Sequence, residues 1–566
     1  MQNAEIAKFL GEIADMLELT GENFFRVRAY RNAARAVLDY PAEFSKLSVK
    51  EMAEVPGLGN DLAGKIDTLL KTGDLPLHRE LCEKVPPGMI ALMNLPALGP
   101  KRVKQLHDEL KVTSLADLKK AIDSGALGTI RGFGPKMEES LKQALARRPE
   151  TTPKRWLYSE AAIEVDALMK YMRKCPAIEK IEVAGSFRRK RDTVGDLDVL
   201  AISSDPAEVM KRFVAYPRVA KTIGSGETKT TVALKDGLQV DLRVVPVESY
   251  GAALVYFTGS KDHCVHIRRI AQRMELSLNE YGLYRGKKSI AGKTEEEIYS
   301  ALGLEWIAPE LREDRGEVKA ATDHTLPELI SRDDLRGDLH SHSTYTDGRA
   351  SIEEMARAAD KAGLDYLAVT DHSRRLAMVN GLDPKRLREQ WCEIEKVQAK
   401  VKVKLLRGIE VDIMEDGSLD LPDDVLAELD WVVASVHYKL NQPPAAMTRR
   451  LLAAVRNRNV DVIGHPTGRL LLGKREPSKF DFGEVLRAAA GEGCALEVNS
   501  QPDRLDLVDT ACTAAKNAGV KLVISSDSHS TKGFDLLEFG VNQARRGWIG
   551  AADVLNTRPL KQLHQR

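Results

Sequence analysis

After residue 336, short apolar runs end one after another in an imidazole or a carboxylate. The endings read Thr370-Asp-His372, Gly408-Ile-Glu410, Ser435-Val-His437, Ile463-Gly-His465 and Ser526-Asp-Ser-His529, and Asp338-Leu-His-Ser-His342 opens the series with Asp347 in the following turn. The runs themselves (Tyr366–Thr370, Val403–Leu406, Trp431–Ser435, Val462–Ile463, Ala495–Val498 and Leu522–Ser525) alternate with helical stretches, which predicts a βα-repeat domain. Ligands at the carboxyl ends of successive parallel strands converge on one face, so this pattern restricts the segment to an α/β barrel or a close relative. A single strand-end histidine is most often structural. Nine groups placed by one rule predict a metal centre, and imidazole with carboxylate suits Zn²⁺, Mn²⁺ or Fe as activators of water. Glu497 and Asn499 sit at another strand end and are expected to support the ligands rather than bind.

Residues 184–199 carry a second chemistry: Ala-Gly-Ser-Phe-Arg-Arg-Lys-Arg-Asp-Thr-Val-Gly-Asp-Leu-Asp-Val. Asp196 and Asp198 share a face of a strand because its side-chain period is two. Asp241 lies in Leu238–Val245, among apolar neighbours where an unpaired acid is costly. Three converging carboxylates need cations between them, and hard oxygen donors suit Mg²⁺, or Mn²⁺ in its place. Gly185 and Ser186 offer open backbone and a hydroxyl, while Arg188 and Arg189 offer planar forks for phosphate oxygens. The β-branched runs around 181–184, 197–202, 230–234 and 238–245 predict a half-buried sheet behind this site.

The first 150 residues read as helical, with Ile6, Phe9, Leu10, Ile13, Met16 and Leu17 at helical spacing. One phrase repeats there: Val55-Pro-Gly-Leu-Gly59, Leu95-Pro-Ala-Leu-Gly99 and Ile130-Arg-Gly-Phe-Gly134. A Gly-x-Gly turn opening a helix leaves unpaired N–H groups facing outward and so attracts phosphate without side-chain charge. That device matters because 84 Lys and Arg against 83 Asp and Glu exclude a polybasic DNA or membrane binder. Six scattered cysteines without a C-x-x-C pair, no signal-like N-terminus and no apolar run near ~20 residues predict a protein of the cytoplasm.

Taken together, residues 1–316 resemble the family X DNA polymerases, and the repeats resemble their helix-hairpin-helix motifs. Residues 336–566 resemble the PHP (polymerase and histidinol phosphatase) domain, a distorted seven-stranded barrel with a trinuclear centre. The order resembles the bacterial and archaeal members of family X. The resemblance implies a multidomain α+β and α/β chain: a lyase-like helical domain at 1–80, helical fingers at 81–150, a nucleotidyltransferase palm at 151–248, a thumb at 249–316, a linker at 317–335 and the PHP domain at 336–566. It makes Asp196, Asp198 and Asp241 the polymerase metal ligands, with Asp241 nearest the primer 3′-hydroxyl. It makes Ser186 and Arg189, with Gly185 and Gly195, the triphosphate grip. It puts Tyr256 and Phe257 beside the sugar, Gly259 at a close approach and Arg268 in the minor groove. Cys264 stands where the DNA polymerase beta-like relatives carry an asparagine that touches the base, so His263 is expected either to take over that contact or to be a surface histidine beside Lys261 and Asp262. Gly57, Gly59, Gly99, Gly132 and Gly134 would contact the DNA backbone. Lys65, with Tyr30 and Arg26 nearby, falls at the position of the deoxyribose-phosphate lyase lysine, or is an exposed helix lysine; Asp61 replaces a lysine that holds the 5′-phosphate in eukaryotic relatives. The PHP ligands would be His340, His342, Asp347, His372, Glu410, His437, His465, Asp527 and His529, holding up to three ions.

The sequence therefore predicts a gap-filling DNA repair polymerase, acting in base excision repair, with a metal-dependent 3′→5′ exonuclease or 3′-end-processing activity and, in some relatives, abasic-site endonuclease activity. Its expected partners are dNTPs and gapped or nicked DNA with a 5′-phosphate, bound by a monomer away from membranes. Two other classes compete: a nucleotidyltransferase acting without a DNA template, and a DNA-end-binding scaffold with weak catalysis.

Overall fold

A computed structural model describes residues 3–563, except 39, 41–43, 56–57, 94, 96–97, 131, 135–136, 139–140, 143–144 and 146–153. The chain divides into two compact units, Met1–Lys154 and Arg155–Arg566. The first is helical. Ile6, Leu10, Ile13 and Leu17 recur at three- and four-residue spacing along the Asn3–Leu19 helix, and all are buried. That single stripe turns toward the core the side chains it shares with Val27, Ala33 and Ile66. Among the described residues, no helix is long and apolar enough to cross a membrane.

The second unit opens with a five-stranded sheet in the order Ile178–Val183, Asp196–Ser203, Gln239–Val245, Lys229–Leu234, Val219–Ser225. Alternation buries Leu197, Val199 and Ala201 against Val240, Leu242 and Val209 on one side. Helices Tyr250–Thr258 and Lys261–Arg273 lead into a three-stranded antiparallel sheet around Gly282–Arg285. Then come seven strands, Gly337–Asp338, Tyr366–Val369, Lys404–Asp412, Trp431–Ser435, Val462–Ile463, Ala495–Asn499 and Leu522–Ser525, each paired in parallel with the next. The ends nearly meet: Ser341 bridges Ser528, and the His342 N–H donates to the Ser528 carbonyl at 2.8 Å. The strands are short and buried on both faces, as an α/β barrel with helices outside requires.

The expected linker at 317–335 is corrected. Residues Glu317–Thr322 form a helix whose Val318 and Ala321 join Leu302, Ile307 and Leu311 in one core, and Ile330 is buried in the barrel core. A six-residue stretch whose apolar residues are one valine and two adjacent alanines has too little periodicity to be told from a loop.

Ionic ties bind the barrel to the sheet domain. Glu313 lies 3.1 Å from both Arg189 and Arg546, and Asp509 lies 2.6 Å from Arg546 and 3.1 Å from Arg315. Burial raises the Glu313 carboxyl, but Arg546, Arg189 and Arg191 outweigh it and bring it down to about 2; Asp509 is likewise held low against its burial by Arg546 and Arg315. A carboxyl with a depressed folded pKa adds stability above its unfolded value of about 4 and loses it as pH falls toward the folded value. We therefore expect Glu313→Gln to melt below wild type at pH 7, and that deficit to shrink progressively below about pH 4. A deficit unchanged from pH 7 to pH 3, followed by circular dichroism, contradicts the ionic account.

Candidate functional site

In the five-stranded sheet, Asp198 and Asp241 stand directly opposite each other on adjacent parallel strands, with Asp196 two residues before Asp198. Burial first, then the neighbouring Asp196 and Asp241 charges, pushes the Asp198 carboxyl up to about 6; burial and Asp241 also raise Asp196. A cluster of oxygens that repel one another when ionised is the electrostatic demand a divalent cation meets. Asp241 is steadied by the Gln239 amide at 3.2 Å and the Lys229 ammonium at 3.3 Å.

Beside it, the Gly185–Arg188 turn brings its backbone onto this cluster. Gly185 has φ +64, and a β-carbon there would lie 2.6 Å from Asp198 Oδ2, so only glycine fits. Ser186 and Arg189 follow at helical spacing. Arg189 donates to the Thr258 carbonyl at 2.5 Å, at the end of the Tyr250–Thr258 helix, and its Nη1 lies 3.1 Å from where a β-carbon on Gly259 would sit. Arg188 instead forms a bidentate pair with Glu295, at 2.7 and 2.9 Å, which also clamps buried Arg312. Gly195, just before Asp196, lies within 3.5 Å of the Arg155 guanidinium measured from an added β-carbon. Tyr256 is exposed, packs edge-on to Phe257 at 5.0 Å and has the Arg268 guanidinium 5.9 Å above its ring.

His263 departs from both sequence readings. It is fully buried, its Nδ1 donating to Glu317 at 2.7 Å and its Nε2 meeting the Tyr299 hydroxyl at 2.8 Å, so it neither faces a nucleotide nor lies on the surface. Cys264 is buried too, its thiol 3.6 Å from the Val255 and Tyr256 carbonyls and pushed up to about 11 by burial.

In the helical unit the three repeated phrases share one geometry. The N–H groups of Leu58, Leu98 and Phe133 bond back to the carbonyls of Val55, Leu95 and Ile130 at 3.0 to 3.1 Å. Leu58, Leu98, Ile130 and Phe133 are buried and Val55 and Leu95 half-buried, while Gly59 and Gly99 cap the following helices and, like Gly134, face open space. Gly132 adopts φ +95, and Gly57 lies outside the described residues. The first two turns thus open helices whose first-turn N–H groups have no partner within the helix, the arrangement that takes a phosphate. Lys65 is 2.6 Å from Asp61 and 5.5 Å from the Tyr30 ring. Partial burial lowers its pKa, but Asp61 and Tyr30 outweigh that and raise it, which keeps the amine protonated. Arg26 is paired with Glu22 at 2.8 Å.

At the barrel mouth the strand ends gather the nine predicted groups. Three overlapping sets each place ligand atoms within 4.8 Å of one another: His342, Asp347, His372 and His529; His340, His342 and Asp527; His372, Glu410 and His437. His465 joins through Glu410 at 3.0 Å. Five buried atoms, Nε2 of His340, Nδ1 of His342, His372 and His465, and Oε2 of Glu410, make no well-aligned hydrogen bond. Buried polar atoms are rarely left so, and His340 Nε2 and His372 Nδ1 crowd Glu410 Oε2 at 3.4 and 2.8 Å, a gathering of donor atoms that fits divalent cations. Burial alone would raise Glu410, but His437, His340 and His372 hold it well below the carboxylate range. Burial, then His372 and His529, pushes His342 down to about 3.

Supporting groups hold this set. His340 Nδ1 donates to Glu497 at 2.7 Å, and Asn499 donates to Asp527 at 3.0 Å, as their strand-end position suggested. Two supports were not read from sequence. Asp412 orients His437 at 3.2 Å, and Asp371 pins the Asp347 loop by accepting from the Ser343 N–H at 2.8 Å and Thr346 at 2.5 Å. Their signal was an acid inside an apolar run, next to a ligand or two residues from one.

The chain matches the DNA polymerase beta thumb over residues 253–313, a helix-hairpin-helix domain over 1–75, a SAM-like helix-hairpin-helix tandem over 89–147 and the PHP domain over 338–501. It is 38% identical over 568 residues, 100% of this chain and 99% of the relative, to the DNA polymerase/3′-5′ exonuclease PolX of Bacillus subtilis. A probable phosphatase of Thermoanaerobacter is 32% identical over 235 residues, covering 39% of this chain and 89% of that protein. A probable phosphatase of Vibrio campbellii is 31% identical over 210 residues, 35% of this chain and 78% of its own length.

Proposed function

The chain belongs to the PolX family of DNA polymerase/3′-5′ exonucleases, and from that premise we propose that its two donor clusters divide the two activities. It is a DNA repair polymerase with a PHP-domain 3′-5′ exonuclease, acting on DNA and nucleotides with divalent metal ions. The observation that carries the assignment is that the two donor sets share no residue: three carboxylates on the sheet, and imidazoles with carboxylates at the barrel mouth. Mg²⁺ or Mn²⁺ would be held by Asp196, Asp198 and Asp241, and up to three Mn²⁺, Zn²⁺ or Fe ions by the nine barrel ligands. Bound there, such ions supply Lewis acidity and charge neutralisation for phosphoryl transfer.

In synthesis the primer 3′-oxygen attacks the α-phosphate in line and pyrophosphate leaves. Ser186, the open backbone at Gly185 and Arg189 bind the departing phosphates, Tyr256 and Phe257 pack beside the sugar, and Arg268 reaches the minor groove. Asp241, fixed by Gln239 and Lys229, is the carboxylate that draws the hydroxyl proton. In the nuclease, Glu497, Asp412 and Asp371 keep the ligands in register while the terminal phosphodiester is hydrolysed. The helix-hairpin-helix turns grip the backbone of gapped or nicked DNA with a 5′-phosphate, and the enzyme works as a cytoplasmic monomer. Incubation with a 5′-phosphorylated gapped duplex in Mg²⁺ or Mn²⁺ tests the reading: dNTPs fill the gap, and their omission leaves 3′ shortening. Extension that ignores the template favours a non-templated nucleotidyltransferase instead.

For Lys65 we propose a weak lyase held back by Asp61. Asp61→Asn removes the carboxylate that keeps the amine protonated, and borohydride trapping on an incised abasic duplex should rise several-fold. Trapping that is unchanged in Asp61→Asn but lost in Lys65→Ala rejects this account of Asp61.

A further inference from the structure

The Arg189 side chain does not stand alone at the nucleotide turn. Its Nε donates to Glu313 Oε1 at 3.1 Å, while Nη1 is fixed by the Thr258 carbonyl. The same Glu313 oxygen receives a bond of 3.1 Å from Nη1 of Arg546, a side chain of the nuclease barrel that is 2% exposed. Arg546 Nη1 also donates to the backbone carbonyl of Arg189 at 2.8 Å, and its Nη2 to Asp509 at 2.6 Å. One barrel arginine thus holds both the main chain of Arg189 and the carboxylate that orients its guanidinium. A guanidinium is suited to this, because its planar fork satisfies three acceptors at fixed angles where an ammonium is a single point.

We propose that Arg546 is a positioning residue of the polymerase nucleotide pocket, acting through Glu313 and the Arg189 backbone, so that the nuclease barrel is a working part of the synthetic site. The inference rests on the reading of Arg189 as a phosphate-holding residue. Without Arg546, Glu313 loses one anchor and the loop carrying Arg189 loses another, so Arg189 must be ordered at the expense of nucleotide binding. Arg546 makes no contact with the nine barrel ligands in the bonds it forms. A second barrel arginine gives the control. Arg545 bonds Glu310 at 2.8 Å and the Ile330 carbonyl at 2.9 Å, tying the same two domains without touching Arg189.

The test compares steady-state gap filling by full-length wild type, Arg189→Met, Arg546→Met, Arg546→Lys and Arg545→Met, with exonuclease activity on single-stranded DNA as the check of folding. Arg546→Met should raise the dNTP KM about tenfold with kcat within about twofold, since one charge-assisted bond is worth about that factor. Arg546→Lys should fall between, and Arg545→Met should keep the wild-type KM. Equal KM changes in Arg546→Met and Arg545→Met overturn the proposal in favour of general loosening of the interface. A raised KM in Arg189→Met with none in Arg546→Met overturns it while sparing the reading of Arg189. An unchanged KM in Arg189→Met rejects that reading, and the proposal with it.

Discussion

The double substitution His340→Ala and His342→Ala is expected to lower 3′-5′ exonuclease activity by more than about 100-fold while gap filling stays within about twofold of wild type. Loss of even an outer partner of a metal ligand costs about 10–100-fold, and here two inner groups go at once. His342 belongs to two of the three overlapping ligand sets, so its removal opens both. His340 donates its other nitrogen to Glu497, whose second oxygen holds the His465 N–H at 2.5 Å, so the damage spreads to a third histidine. Synthesis is spared because none of these groups bonds to the strands bearing Asp196, Asp198 and Asp241. The measurement is release of labelled 3′-nucleotide from single-stranded DNA beside extension of a gapped primer in the same preparation. Loss of both activities in a variant that melts like wild type contradicts two independent centres.

Much of this site was legible because the chemistry follows from short-range periodicity. A strand repeats every two residues, so Asp196 and Asp198 had to share a face, and an acid inside the apolar run at Asp241 had to be held for a purpose. Ligands at the ends of successive parallel strands had to converge, which placed nine residues spread from His340 to His529 at one mouth. What the sequence hid is set by contacts between distant segments. His263 looked polar and available, yet it shares a helix face with Cys264, Ile267 and Ala271, and its partners Glu317 and Tyr299 come from later elements. The stretch at 317–322 looked like a linker because a valine and two adjacent alanines show no period. The doublet Arg188-Arg189 looked like one phosphate grip. The fold splits it, spending Arg188 on Glu295 and fastening Arg189 to a carboxylate that an arginine from the other domain also holds.

Replacing Asp196 and Asp198 together by alanine is expected to reduce primer extension by more than about 1000-fold and leave exonuclease activity within about twofold of wild type. One electrostatic donor at a reacting phosphate is worth about 10²–10³ in rate, and this variant removes two of the three carboxylates that would hold the cations. A single Asp198→Asn change separates this role from a structural one. Asp198 is buried beside Asp196 and Asp241, and that crowding of like charge opposes folding when no cation is present. The amide has nearly the same shape and removes the repulsion, so metal-free Asp198→Asn should melt at or above wild type, by on the order of 2 °C. Added Mg²⁺ binds the folded state and should raise the wild-type Tm more than that of the variant, in which only the barrel ligands remain intact. A variant that is both inactive and markedly less stable without metal would make Asp198 a structural residue of the strand and not a ligand.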